Sequence, residues 1–163
     1  MIFLINKYYE MEVSMTKEQI NEFSMRINQS NRTQIVVITY EIILKYLDTA
    51  KESLNNDNVD DFVFNVKKAR QFLNQLSSVL DFRYGIAKEL MSIYIFANEC
   101  LIASEVKRKD VNILTVISIL SKLKVAFEEV SKQDTSKPLL GSEKVYEGLT
   151  YGRNAKGTVY ATK

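Results

Sequence analysis

Apolar residues recur every three or four positions between Thr16 and about Lys132, and short polar turns separate the segments that they form. This spacing matches one face of an α-helix, whereas a half-buried strand would alternate with a period of two. The pattern therefore predicts five helices. Their apolar stripes are Ile20, Phe23, Ile27; Ile35, Ile38, Ile42, Tyr46, Ala50; Phe62, Val66, Ala69, Leu73, Leu76, Leu80; Ile86, Leu90, Ile93, Ala97, Cys100, Ser104; and Val116, Leu120, Leu123, Phe127, Val130.

Polar residues between the stripes predict where the helices begin and end. Thr16 followed by Gln19 is typical of a capping box, and the polar run 29–31, Gln-Ser-Asn, can cap the second helix. Asp110 is placed to cap the fifth. The predicted limits are 16–28, 32–54, a third helix between the turns 55–58 and 81–85, a fourth from 86 to the basic run 107–109, and a fifth over 111–131.

One segment fits two structures when it is taken alone. Residues 36–40, Val-Val-Ile-Thr-Tyr, are rich in strand-forming side chains, but the longer helical period around them favours a helix.

The third stripe has the regular 4-3-4-3-4 spacing of a heptad, which is typical of near-antiparallel helix packing. The predicted fold is all-α: an antiparallel four-helix bundle with a short N-terminal helix and an irregular C-terminal tail. The expected divisions are an N-terminal extension over 1–15, a bundle domain over 16–132, and a Gly-containing tail over 133–163. We expect the extension to be poorly ordered unless it docks on the bundle. Within the tail, residues 149–151 and 158–160 could pair as a hairpin, although the composition favours a flexible segment.

The fifth helix carries more apolar surface than a bundle helix needs. A helix at the edge of a bundle requires one apolar stripe, yet Ile113, Leu114, Ile117 and Ile119 add apolar side chains around most of its first half. This surplus must be covered either by the N-terminus of the chain or by a partner.

The amino-acid composition excludes several kinds of catalytic site. The 163 residues contain no histidine and one cysteine, Cys100, so neither a Ser-His nor a Cys-His pair can form. A lone thiol fits a reducing compartment, and we expect a cytoplasmic protein with no cofactor, metal or catalytic residue. A formal net charge of +2 gives no strong attraction to nucleic acid, and no segment has the roughly 20 apolar residues of a membrane span.

Several short segments, in this order, resemble the flagellar export chaperone family FliS. Residues 35–42 are similar to the apolar run of the family's first bundle helix, with Tyr40 and Glu41 matching, and 68–70 and 74–81 resemble the second. Tyr94 and Phe96 stand in a segment similar to the family's Leu-Tyr-Asp-Tyr signature, and Phe127 stands for its late tryptophan. Residues 132–139 and 145–152 resemble a tail found in clostridial members.

The resemblance implies a protein that binds the amphipathic C-terminal segment of flagellin, prevents its premature polymerisation and assists its export. The implied partners are that segment and the flagellar export apparatus, and a weak homodimer is a further expectation. Such a segment would fold as it binds, so a long apolar contact is expected. The predicted partner-binding residues are Ile35, Ile38, Tyr40, Ile42, Tyr46, Tyr94, Phe96, Ile113 and Ile117.

Two other functions remain open from the sequence. One is a helical adaptor or regulatory protein that binds another amphipathic helix. The other is a metal-carboxylate helical enzyme, which would need glutamates facing the bundle interior, where this sequence has apolar residues.

Overall fold

The computed structural model describes residues 15–140, and the part described is helical with no strand. The helices lie close to the predicted limits, and residues 36–40 are helical. They are α1 (Lys17–Asn28), α2 (Arg32–Asn55), α3 (Val59–Ser78), α4 (Ile86–Lys107) and α5 (Ile113–Gln133). The predicted all-helical bundle is confirmed.

Side-chain caps fix the first two helix starts. The Thr16 hydroxyl accepts from the Gln19 backbone N–H at 3.3 Å, and the Gln19 side chain accepts from the Thr16 N–H at 3.1 Å. Asn31 and Gln34 form the same reciprocal pair at the start of α2, at 2.9 Å in both directions. Each box satisfies two backbone donors that a helix start leaves unpaired, so both predicted starts are confirmed.

The start of α5 differs from the prediction by two residues. Asn112 takes a left-handed conformation with φ 61° immediately before the helix, and Asp110 lies further upstream. The Asp110 carboxylate still accepts from the Ile113 N–H at 2.8 Å. The N-cap is thus Asn112, and the predicted capping residue Asp110 satisfies only the first helical N–H, across a turn that the apolar pattern does not reveal.

The bundle is organised around α2. This helix packs extensively against both α3 and α5, and α3 packs against α4, while α4 and α5 touch only slightly. Antiparallel order follows from two contacts at opposite ends: Arg108, after α4, pairs with Asp60 at the start of α3, and Asp134, after α5, bonds to Thr33 at the start of α2. The α4–α5 contact is thus a thin seam, and the bundle is open along it.

Most of the predicted stripe residues are buried in the core, but Ile86 and Val130 are exposed, and the core also takes in residues outside those stripes, such as Leu101. Ten residues of α2 are buried, among them Ile35, Ile42 and Leu47. The α3 ring of Phe72 stacks on Tyr46 with centroids 5.9 Å apart. Cys100 is buried as a free thiol, and burial, followed by the charge of Glu99, raises its pKa, so it behaves as a small apolar side chain.

After α5 the chain turns back over the start of α2. We call residues 134–140 the C-terminal strap. The Leu139 N–H donates to the Ser30 carbonyl at 3.0 Å, and Leu139 and Leu140 pack against the core. The expected divisions at 1–15 and 133–163 stay predictions. The proposed hairpin and nearly all of the N-terminal extension lie outside the described residues.

Asp134 is expected to titrate at about 2. Hydrogen bonds from Ser136 and then from Thr33 lower its pKa from 3.8 to about 2. Since the folded pKa lies below the unfolded value, this carboxylate stabilises the fold above pH 3.8, and the contribution is lost as the pH falls through about 2. NMR titration of the Asp134 carboxyl should show this value. Thr33→Val should raise the pKa and Thr135→Val should not; a Thr33→Val pKa equal to the wild type would contradict the contact.

Candidate functional site

Helix α1 lies as a separate layer on α2. Its Ile27 is buried, and Ile20 and Phe23 pack partly buried against the core. Arg26 donates to both carboxylate oxygens of Glu41 on α2, at 2.6 and 3.0 Å. This forked pair is half-exposed to solvent, so it contributes modestly, on the order of 1 kcal/mol or less.

A polar cleft runs along one edge of α1. Its volume is about 410 Å³, and it separates α1 from the end of α5. Its lining includes Arg26, Gln34, Glu41, Glu128 and Ser131. Water can therefore reach this edge, and α1 is held mainly by the side that faces α2.

The predicted partner-binding residues fall into three classes of solvent exposure. Phe96 is 42% exposed and Ile117 is half-buried. The rest are buried, and most of them belong to the central helix α2: Ile35, Ile38, Tyr40, Ile42, Tyr46, Tyr94 and Ile113. A partner could touch the buried members only after a covering element moves. Whether they bind a partner stays a prediction.

Three of the aromatic residues named from the resemblance come together in one cluster. The hydroxyls of Tyr40 on α2 and Tyr94 on α4 form a buried hydrogen bond. The Phe127 ring on α5 lies 5.7 Å from the Tyr40 ring, centroid to centroid. Burial is the largest cause that raises the pKa of both tyrosines, so both stay neutral. The cluster ties together three helices, including the weakly packed α4 and α5.

Replacing Tyr94 by phenylalanine should lower the free energy of unfolding by about 1–3 kcal/mol, because it leaves the Tyr40 hydroxyl buried without its partner. The double variant Tyr40→Phe/Tyr94→Phe should recover most of that loss, since no polar group is then left unpaired. Urea unfolding of the two single variants and the double variant measures the coupling. Strictly additive losses would show that the hydroxyls do not stabilise each other.

Beside this cluster lies an apolar cavity that sequence reasoning missed. It has a volume of about 250 Å³ and lies where α2 and α4 begin and α3 ends. Val36, Leu80, Leu90 and Phe127 are among its lining residues, and Tyr84 and Ile86 stand exposed at its rim. A signal was present in the sequence, because the predicted turn over 81–85 contains two aromatic residues that a solvated turn does not need.

Exposed apolar side chains are concentrated on α4. Those on α4 are Ile86, Ile95, Phe96, Ile102 and Val106. Three of them, Ile95, Ile102 and Val106, are spaced by seven and four residues and so lie along one side of the helix. The surplus apolar residues predicted on α5 differ in exposure. Ile113 is buried, Ile117 and Ile119 are half-buried, and Leu114 is exposed.

The site offers packing surface and little ionic chemistry. Among the described residues no three potential metal ligands form a group. Over the same residues, no helix combines the length and the apolar character that crossing a membrane requires. What residues 15–140 present to a partner is apolar helix surface, partly open and partly covered by α1.

A bundle with these features defines a helical binding protein, and comparison with known proteins identifies its family. Residues 15–134 match the family model described as "Flagellar protein FliS", so the chain belongs to the FliS family. It is also similar to the "Flagellar secretion chaperone FliS" of Campylobacter jejuni, with 25% identity over 104 residues, which cover 63% of this chain and 81% of the relative. FliS proteins are flagellar export chaperones and not enzymes, and the predicted family and class of function are confirmed.

Proposed function

We propose that this chaperone binds the amphipathic C-terminal segment of flagellin in the cytoplasm, keeps it from polymerising and assists its transfer to the flagellar export apparatus. The observation that carries the proposal is the shallow cover that α1 makes over α2. A thin, separately held helix lies on an apolar surface, and a flagellin helix of the same character could replace it.

Competition between α1 and flagellin has a clear thermodynamic form. If flagellin binds only when α1 has moved, its apparent affinity is the intrinsic affinity multiplied by the fraction of chaperone molecules in the open state. The contacts of α1 with α2, through Ile27, Phe23 and the Arg26–Glu41 pair, then set that fraction. Buried residues that line the cleft beside α1, such as Val37 and Ile38, would become available in the open state.

Surfaces outside the α1 layer support a partner that wraps around the bundle. Phe96 and Ile95 are already exposed on α4, so a bound segment could reach them without any rearrangement. A segment of about 40 residues would span about 60 Å as a helix, which is longer than any single helix of this bundle. We therefore expect flagellin to contact more than one face.

Copurification with flagellin tests the proposal. The chaperone should retain full-length flagellin and lose it when about the last 40 residues of flagellin, the length just considered, are removed. Phe96→Asp should weaken the complex, whereas Ser92→Asp, which adds the same charge at an exposed position on the same helix, serves as the matched control. Unchanged retention of the truncated flagellin would contradict the proposal.

The clostridial type is part of the proposal. It rests on the resemblance of residues 132–139 and 145–152, and the second of these lies outside the described part of the chain. A weak homodimer through the exposed residues of α4 is likewise proposed, and sedimentation at increasing concentration would detect it.

A further inference from the structure

The C-terminal strap is attached to the joint between α1 and α2. Leu139 N–H donates to the Ser30 carbonyl at 3.0 Å, and the Asn31 side-chain amide donates to the Asp134 carbonyl at 3.0 Å. Ser30 and Asn31 belong to the short connection between the two helices. Residues more than 100 positions apart in the sequence are therefore bonded at this joint.

A third bond fixes the strap to the first turn of α2. The Thr33 hydroxyl donates to the Asp134 carboxylate at 2.6 Å. This carboxylate lies beside a helix N-terminus, where the helix dipole favours negative charge. It also accepts from the Ser136 N–H at 3.0 Å, which holds the strap in a turn as it leaves α5.

Asn31 connects the strap to the cap of α2. Its side-chain oxygen accepts from the Gln34 N–H, while its amide nitrogen donates to the strap. Both polar atoms of this buried side chain are thus used, and the strap satisfies the donor that capping leaves over. Leu139 and Leu140 add an apolar anchor against the core.

We infer that the C-terminal strap is a latch on the α1–α2 joint, which keeps α1 on α2 until the strap is released. For α1 to swing away, the backbone dihedrals of the residues between Asn28 and Arg32 must change. The strap bonds to the Ser30 carbonyl and the Asn31 side chain resist that change. The effect of the latch on α1 is a property of the free protein. Only its effect on flagellin binding rests on the proposed function.

Hydrogen exchange on the full-length free protein tests the latch. Asp134→Ala combined with Leu139→Pro removes the carboxylate, the Leu139 N–H and one leucine anchor. With the two hydrogen bonds that join the strap to Thr33 and Ser30 lost, the α1 amides should exchange on the order of 10-fold faster, while the α3 amides keep their wild-type rates. Thr135→Ala/Lys137→Ala changes two exposed strap residues and is the matched control.

Three other outcomes would overturn the latch. The first is an α1 exchange rate equal to that of the wild type. The second is an equal acceleration in all helices, which would mean that the strap only stabilises the fold as a whole. The third is an equal acceleration of α1 in the control variant.

A second measurement separates the latch from the proposed function. Binding of a synthetic peptide with the flagellin C-terminal sequence should become tighter in the latch variant, by about the factor that the exchange rates show. Faster α1 exchange with unchanged peptide affinity would leave the latch in place and would contradict the role of α1 as a cover for the flagellin site.

Discussion

Replacing Phe72 by alanine should lower the free energy of unfolding by about 3–5 kcal/mol. The side chain is buried between α2 and α3, the most extensive helix contact in the fold, and it stacks on Tyr46. Truncation removes the burial of the ring and leaves a cavity that two long helices cannot close without shifting. Urea or thermal unfolding, followed by circular dichroism, measures the loss.

Phe82 offers a matched control for this substitution. It is 54% exposed in the turn after α3, so Phe82→Ala should change the free energy of unfolding by about 0.5 kcal/mol or less. Similar losses for the two variants would mean that Phe72 does not occupy the core position described.

Introducing a charge at Ile27 should make flagellin bind about 10- to 30-fold more tightly. Ile27 is the buried anchor of α1, and an aspartate there cannot stay in apolar contact with α2 without a large desolvation cost. Undocking removes the roughly 2 kcal/mol that the burial of an isoleucine side chain supplies, and the fraction of open chaperone rises accordingly. Titration calorimetry with the flagellin C-terminal peptide measures the change.

The same helix provides the control. Met25 is 64% exposed, so Met25→Asp adds the same charge without disturbing the contact with α2 and should leave the affinity near its wild-type value. Weaker binding by Ile27→Asp would indicate that α1 forms part of the binding surface, and it would contradict its role as a cover.

The helices and two of their starts were predictable because local chemistry determines them. The stripe spacing depends only on the 3.6-residue period, and the boxes at Thr16 and Asn31 satisfy backbone donors within three residues. The same reasoning could not give the burial of Ile113 beside the exposure of Leu114. When apolar residues surround a helix, their spacing does not identify one buried face. The contacts with neighbouring helices then determine which side is covered.

The strap was not predictable for a different reason. Its bonds join Asp134 and Leu139 to residues 30–33, and no local pattern indicates a contact over that separation. The pair Leu139–Leu140 after Pro138 was the one available signal, since two adjacent leucines are unusual in a solvated tail. The cavity beside Phe127 was missed similarly, because it forms where four separate segments meet.

The thin seam between α4 and α5 determines how this molecule should respond to heat. With α2 joined firmly to α3 and α5, and α4 held mainly by α3, the helices form an open row rather than a ring. Such a row can widen at its free edge while its strongest interfaces stay intact. On warming, therefore, α4 should loosen at temperatures where the α2–α3 pair is still folded, and the buried thiol of Cys100 on α4 should become reactive before the bundle as a whole melts.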